Sequence, residues 1–206
     1  MKHIRWVWWA ACLLCGCGGG GGDGGGSGID PRLARLDIYE AQKLRVLGDP
    51  GAGVMGMAVT PDVAVPDSGN ATFDGSATIR IEAANALVLF GDAAVTVAFD
   101  TAAVSGTLDG FFGTDSGNAV LDYAGAITID GGGVGGATDS DLHMDYGGGL
   151  TAPGEALIFD GTLTGSFLGN PLAAIATADL AAVVDHNGTL TDATILVIGE
   201  LALTSP

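Results

Sequence analysis

Basic residues are scarce in this chain. Lys and Arg number seven against 24 Asp and Glu, a formal net charge of −17. Beyond the N-terminal segment, Arg32, Arg35, Lys43 and Arg45 lie close together and only Arg80 stands apart. Such a balance repels nucleic acid and anionic headgroups, so no nucleic-acid partner is expected. It suits basic proteins, cationic ligands or divalent ions, or simply solubility in a salty medium. Aromatics are 6% of the residues, too few for the girdles of a membrane-spanning barrel. Long apolar runs are missing. The N-terminal one, Trp6 to Leu14, falls short of the roughly 20 residues that span a bilayer as a helix. Gly-x-Ser-x-Gly is absent, and only His143 and His186 follow the N-terminal segment. A Ser–His–Asp triad has no support, and no enzyme is expected.

Cysteine is also rare, and all of it is N-terminal: Cys12, Cys15 and Cys17. Lys2 and Arg5 precede the apolar run, the order of a secretory signal peptide. Cys12 follows Ala11 but leaves only a short apolar run before it, and Cys15 follows the bulky Leu14. Cys17 follows Gly16, with Leu14 three residues back. Leu14 to Cys17 resembles the lipobox of bacterial lipoproteins, Leu-x-Gly-Cys. The resemblance implies a signal peptide over 1–16, cleavage before Cys17, and acylation of Cys17. The alternatives are an ordinary signal peptide or an uncleaved anchor. Gly18, in place of Asp, implies outer-membrane sorting in the lipoproteins it resembles. Residues 17–29 form a glycine-rich tether, whose tract Gly18 to Gly28 would reach about 18 Å. After cleavage no thiol chemistry remains.

Residues 30–206 are long enough for one domain with a sizeable core. Asp30-Pro31 reads as an N-cap followed by Pro at the first helical position. Leu33, Leu36 and Tyr39 follow at helical spacing, giving a short helix to about residue 40 within a lead-in over 30–49. Gly48 to Gly51 breaks the chain. Alternation then takes over. Phe73, Ala77, Ile79 and Ile81 share one face of a long strand. Val95, Val97 and Phe99 repeat the pattern after Gly91-Asp92, followed by Val104 to Leu108. Ala126 to Asp130 reads as a short strand before a glycine loop. Leu142 to Tyr146, Leu157 to Phe167, Ala174 to Val184 and Thr189 to Leu203 complete the series, with a further strand possible at Val54 to Val59. Asp185 to Gly188 is a hairpin signal. About eight or nine evenly spaced strands suggest a meander closed into a soluble eight-stranded antiparallel β-barrel, an all-β fold.

One resemblance is specific. Pro66 to Gly75 is similar to the Pro-x-x-Gly-x-Ala-x-aromatic-x-Gly opening of the barrel in transferrin-binding-protein-B-like surface lipoproteins. Leu89 to Leu108 is similar to the following hairpin, and Gly165-Ser166-Phe167-Leu168-Gly169 to a late Gly-x-Phe-x-Gly strand. The resemblance covers roughly residues 50 to 203. It implies an eight-stranded barrel on a lipid anchor, in a family that binds transferrin, haemoglobin or complement factor H. No ligand-contact motif of that family is matched.

Several patterns carry possible chemistry. Gly131, Gly133 and Gly136 match G-x-G-x-x-G, with Glu155 beyond, but 137–141 opens no helix. Asp67-Ser68-Gly69 and Asp115-Ser116-Gly117 look like the paired motifs of aspartic proteases, or turn chemistry. Asp141, His143 and Asp145 alternate on one strand as weak metal-ligand candidates, or as a solvated face. The segment Asp130 to Asp141 has carboxylates for weak Ca²⁺ binding but lacks the regular repeat. No cofactor is expected. The expected contact surface is loops at one end of the barrel, around Asp109–Asn118 and Asp130–Asp141, with Asp109, Asp115, Asp130, Asp139 and Asp141. The expected function is an outer-membrane-anchored, monomeric binding module for a protein, haem or an iron carrier, facing the periplasm or the cell surface. The alternative is a structural or adhesion envelope protein. Replacing Cys17 with Ala is expected to release the protein from membranes, read by fractionation of cells; continued membrane retention rejects the lipid anchor.

Overall fold

A computed structural model describes residues 30–202 apart from 116 and 118. The signal, Cys17 and the tether lie outside the described residues. One helix, α1 (Pro31–Leu47), precedes the short strands β1 (Gly48–Asp49) and β2 (Val54–Met55). Nine further strands follow: β3 (Asn70–Ile81), β4 (Leu87–Ala98), β5 (Ala103–Thr114), β6 (Val120–Asp122), β7 (Ala124–Val134), β8 (Asp141–Ala152), β9 (Glu155–Leu168), β10 (Ala174–His186) and β11 (Thr189–Leu201). Antiparallel pairing runs β4-β3-β11-β10-β9-β8-β7-β5, and β5 pairs back onto β4. The ladder therefore closes into an eight-stranded barrel. The short β6 continues the β5 ladder just before β7.

Period-two alternation builds the core. On β4 the buried residues are Leu87, Leu89, Gly91, Ala93, Val95 and Val97, which all face one way because successive strand side chains point to opposite faces. On β9 the inward set includes Leu157, Phe159, Leu163 and Phe167. Together with Ile79, Leu108, Ile127, Leu142, Met144 and Ile195 they form one contiguous apolar cluster. The outer wall carries Asp74, Asp92, Asp109, Asp130, Asp145, Asp160 and Asp192, all exposed. Ile158, Leu180 and Leu190 are exposed on the same wall.

Some boundaries differ from the sequence expectation. The helix continues to Leu47, because Gln42 and Val46 dock on the barrel and extend the buried face of Tyr39. Gly91-Asp92 is not a turn but the middle of β4. There Gly110 and Phe111 oppose the single residue Gly91 in a β-bulge. Gly110 has φ +58°, which a residue without Cβ adopts freely. The bulge turns Phe111 inward, and a Cβ on Gly91 would lie 2.7 Å from the Phe111 ring. Phe112 is consequently aimed outward, toward the helix. The expected glycine loop after Asp130 is largely strand, since Gly131 to Gly133 belong to β7. Val54 to Val59 adds no barrel strand: β2 pairs only with β1, and Val59 makes a lone bridge to Leu168. Asn187 and Gly188 both take positive φ, as a two-residue hairpin turn requires.

The two barrel ends differ. At one, the hairpin end, lie residues 82–86, 115–119, 153–154 and 187–188. At the other, residues 99–102, 135–140 and 169–173 sit under a strap formed by 56–69. Backbone bonds stitch the strap down, Thr60 N to Phe167 O at 2.9 Å and Gly169 N to Ala58 O at 2.8 Å. The Asp62 carboxylate accepts from Ser140 N, and Val65 packs on the core below.

Close interstrand approach makes one glycine test specific. A Cβ on Gly165 would lie 2.0 Å from Ala176 O, whereas at Gly147 the nearest atom, Phe159 O, is 3.7 Å away. Gly165→Ala is expected to destabilise the barrel by roughly 1–3 kcal/mol and Gly147→Ala to leave it within about 0.5 kcal/mol, read from urea unfolding midpoints.

Candidate functional site

The densest polar arrangement lies where α1 crosses the outer wall. Asp30 starts the helix, its carboxylate accepting from Arg32 N at 3.0 Å, which satisfies an otherwise unpaired amide. Arg32, Arg35, Tyr39, Gln42 and Val46 recur at spacings of three and four and so share the face turned to the barrel. Arg32 donates to Val120 O on β6. Arg35 donates to Gly110 O and to Asp92 Oδ2, both at 2.8 Å, and to the Tyr39 hydroxyl. Its guanidinium lies 5.0 Å from the Phe112 ring centroid. Tyr39 in turn donates to Asp92 Oδ1 at 2.5 Å. The β4–β5 bulge presents the barrel partners of Arg35 and Tyr39: the Gly110 carbonyl, the Asp92 carboxylate and the Phe112 ring.

Farther along the helix, Gln42 is buried and fully engaged. Its amide donates to Asp74 O and Glu200 Oε2, and its oxygen accepts from Ser76 Oγ. Arg45 forms a two-pronged pair with Glu200, at 3.0 and 2.6 Å, and that bond holds the Glu200 carboxyl below its usual range. Val46 is fully buried against Leu168, Ala174 and Ile198. The helix thus runs from β6 at the hairpin end to β10 at the strap end. Spacing of polar residues, not of leucines, would have revealed this face. Leu33 and Leu44 are 45% and 44% exposed.

The expected contact surface is divided. Because β5 and β7 run in opposite directions, 115–119 lies at the hairpin end and 135–140 at the strap end. These loops sit at opposite ends, not at one end as the sequence suggested. Asp109 is on the outer wall of β5, and Asp130 is on that of β7. Asp115 is spent on its own turn, accepting from Gly117 N and Ala119 N. Asn118 lies outside the described residues. Asp139 is exposed in the 135–140 loop. Asp141 closes that loop by accepting from Thr138 N, which lowers its pKa.

The other patterns separate similarly. Asp67 precedes β3 at the strap end, so Asp67 and Asp115 cannot share a proton. Gly131 and Gly133 lie in β7 and no helix follows Gly136, so the glycines form no dinucleotide cradle. Glu155 opens β9 at the opposite end, buried against His186 Nε2. Asp141, His143 and Asp145 share the outer face of β8. Asp145 there accepts from Thr162. Among the described residues no group of three His, Cys, Asp or Glu is placed to hold a metal ion. Inside the barrel the Tyr146 hydroxyl donates to Asp179 at 2.9 Å, and at the hairpin end Tyr123 donates to Thr114 O.

No protein-family model matches this chain, and no curated protein matches it.

Burial pushes the Tyr39 hydroxyl up to about 12, helped by its hydrogen bond to the Asp92 carboxylate. Burial raises Tyr123 and Tyr146 as well. An unfolded chain releases these protons near pH 10. The folded chain holds them longer, so stability is full below pH 10 and falls as pH rises toward 12. Tyr39→Phe is expected to reduce that slope by about 1.4 kcal/mol per pH unit, measured by urea unfolding across pH 9 to 12.

Proposed function

We propose that this chain is a lipid-anchored protein of the bacterial outer membrane whose barrel is a binding module for another protein. The observation that carries the reading is the filled interior. Phe73, Phe111, Phe159 and Phe167 are each at most 2% exposed, and they belong to the cluster that occupies the barrel from wall to wall. An eight-stranded barrel is just wide enough for its own side chains. Recognition then belongs to the outside, and a protein or a protein carrier of iron or haem fits better than free haem. The lipobox and the similarity to transferrin-binding-protein-B-like lipoproteins support the same reading.

Of the two ends, the strap end is the better contact surface. The helix begins at the hairpin end, so the described chain starts there, on the side of the proposed anchor. The strap end carries exposed Val59 and Val63, at 55% and 98%, beside exposed Asp67, Asp100 and Asp139. Apolar anchors ringed by carboxylates suit a partner with a basic, partly apolar face. Capture by the full acylated protein, with sequencing of what is retained, tests this. Retention is expected to weaken with salt and to drop about tenfold in the combined variant Val63→Ser, Asp67→Asn, Asp139→Asn. Equal retention by that variant and wild type rejects the strap end. A deletion strain with altered surface integrity, together with no partner captured under iron limitation, selects the structural or adhesion role.

A further inference from the structure

We propose that the outward face of α1 rests on the bilayer that holds the lipid anchor, so that the barrel lies with its helix-bearing wall toward the membrane. The proposal rests on the lipid-anchor reading. A helix with a barrel as its only neighbour is expected to turn apolar residues inward. This one buries Tyr39 and Val46 there but fills most of its inward face with polar residues. Arg32, Arg35, Tyr39 and Gln42 face the barrel. Leu33, Ile38 and Leu44 stay exposed at 45%, 65% and 44%, with Ala34 and Ala41 exposed beside them. Near the two helix ends Val120 is 51% exposed and Met55 87%. Asp37 and Glu40 are exposed among these residues.

Charge selects the same wall. Among the described residues the cations are Arg32, Arg35, Lys43, Arg45 and Arg80, so four of the five belong to α1. Each of the four pairs with a carboxylate, Asp30, Asp92, Glu40 and Glu200, so this wall holds cations beside its acids, among them exposed Asp37, Asp74, Asp109 and Asp122. The remaining outer surface presents Asp130, Asp145, Asp160, Asp185 and Asp192, which anionic headgroups repel. A rival apolar patch exists on β9 to β11, where Ile158 and Leu190 flank Asp185 across the ladder. An acid, Asp185, lies at its centre.

The tether supplies what the contact lacks in area. From Cys17 to Asp30 its reach is roughly 20 Å. An acylated chain therefore holds α1 at a high effective concentration against the lipid surface. A patch too small to bind from solution is then occupied most of the time. Both barrel ends remain lateral, and the strap end stays clear of the anchor.

All three tryptophans, Trp6, Trp8 and Trp9, precede Cys17, so a single Trp placed in the cleaved, acylated protein reports alone. Ile38→Trp and Leu190→Trp are compared in vesicles of phosphatidylethanolamine with a minority of phosphatidylglycerol, with and without brominated acyl chains. The expected result is a blue-shifted Trp at 38, quenched several-fold more than the Trp at 190. Equal quenching, or stronger quenching at 190, in protein that floats with the vesicles overturns the orientation and leaves the anchor standing. Protein that fails to float overturns the anchor reading, and the orientation with it.

Discussion

Closure of the strand ladder is the constraint on which the rest of this molecule depends. Once β5 pairs back onto β4, the barrel has a fixed girth and an interior that must be filled by the side chains facing it. Glycine and aromatic residues then become complementary. Gly91 yields its space to Phe111, and Gly161 yields to Tyr146, whose hydroxyl lies 2.5 Å from where a Cβ would be. The small residues are as necessary to the packing as the large ones.

The same closure explains how the helix is held. A regular β5 would keep a strict two-residue alternation and present either Phe111 or Phe112 outward without a free carbonyl beside it. The bulge at Gly110 breaks that alternation once. It sends Phe111 into the core, Phe112 to the helix, and the Gly110 carbonyl to Arg35. Within the network the Tyr39 hydroxyl bonds are part-buried, whereas the Arg35–Asp92 pair is exposed and counts as a surface ion pair. The first half of the helix is thus seated on one irregularity in one ladder, while Gln42, Arg45 and Val46 seat the second half on β3, β10 and β11.

That geometry shapes the functional reading. A filled barrel leaves its surfaces as the means of recognition, and those surfaces are unlike one another. The strap end combines exposed valines with carboxylates. The helix wall combines exposed leucines with nearly all the cations. The protein partner proposed for the first and the lipid surface proposed for the second would use different chemistry and different residues.

The sequence alone determined the all-β class, the closed eight-stranded barrel, most strand cores, the Asp30-Pro31 helix start and the Asn187-Gly188 turn. These follow from local signals: alternation with period two, a cap, and a dipeptide that accepts positive φ. Tertiary structure decided where the loops go. Asp115 and Asp139 lie close in sequence and share composition, but β7 carries the chain from one barrel end to the other between them. It also decided that Gly91 and Gly131 to Gly133 are strand: Asp109 O and the Phe111 ring crowd a Cβ at Gly91, and His143 O crowds one at Gly132, contacts that no local signal announces. The inward face of α1 was hidden for a related reason. Its polar residues are buried only because Asp92, Gly110, Asp74 and Glu200, distant in sequence, converge beneath it to satisfy them.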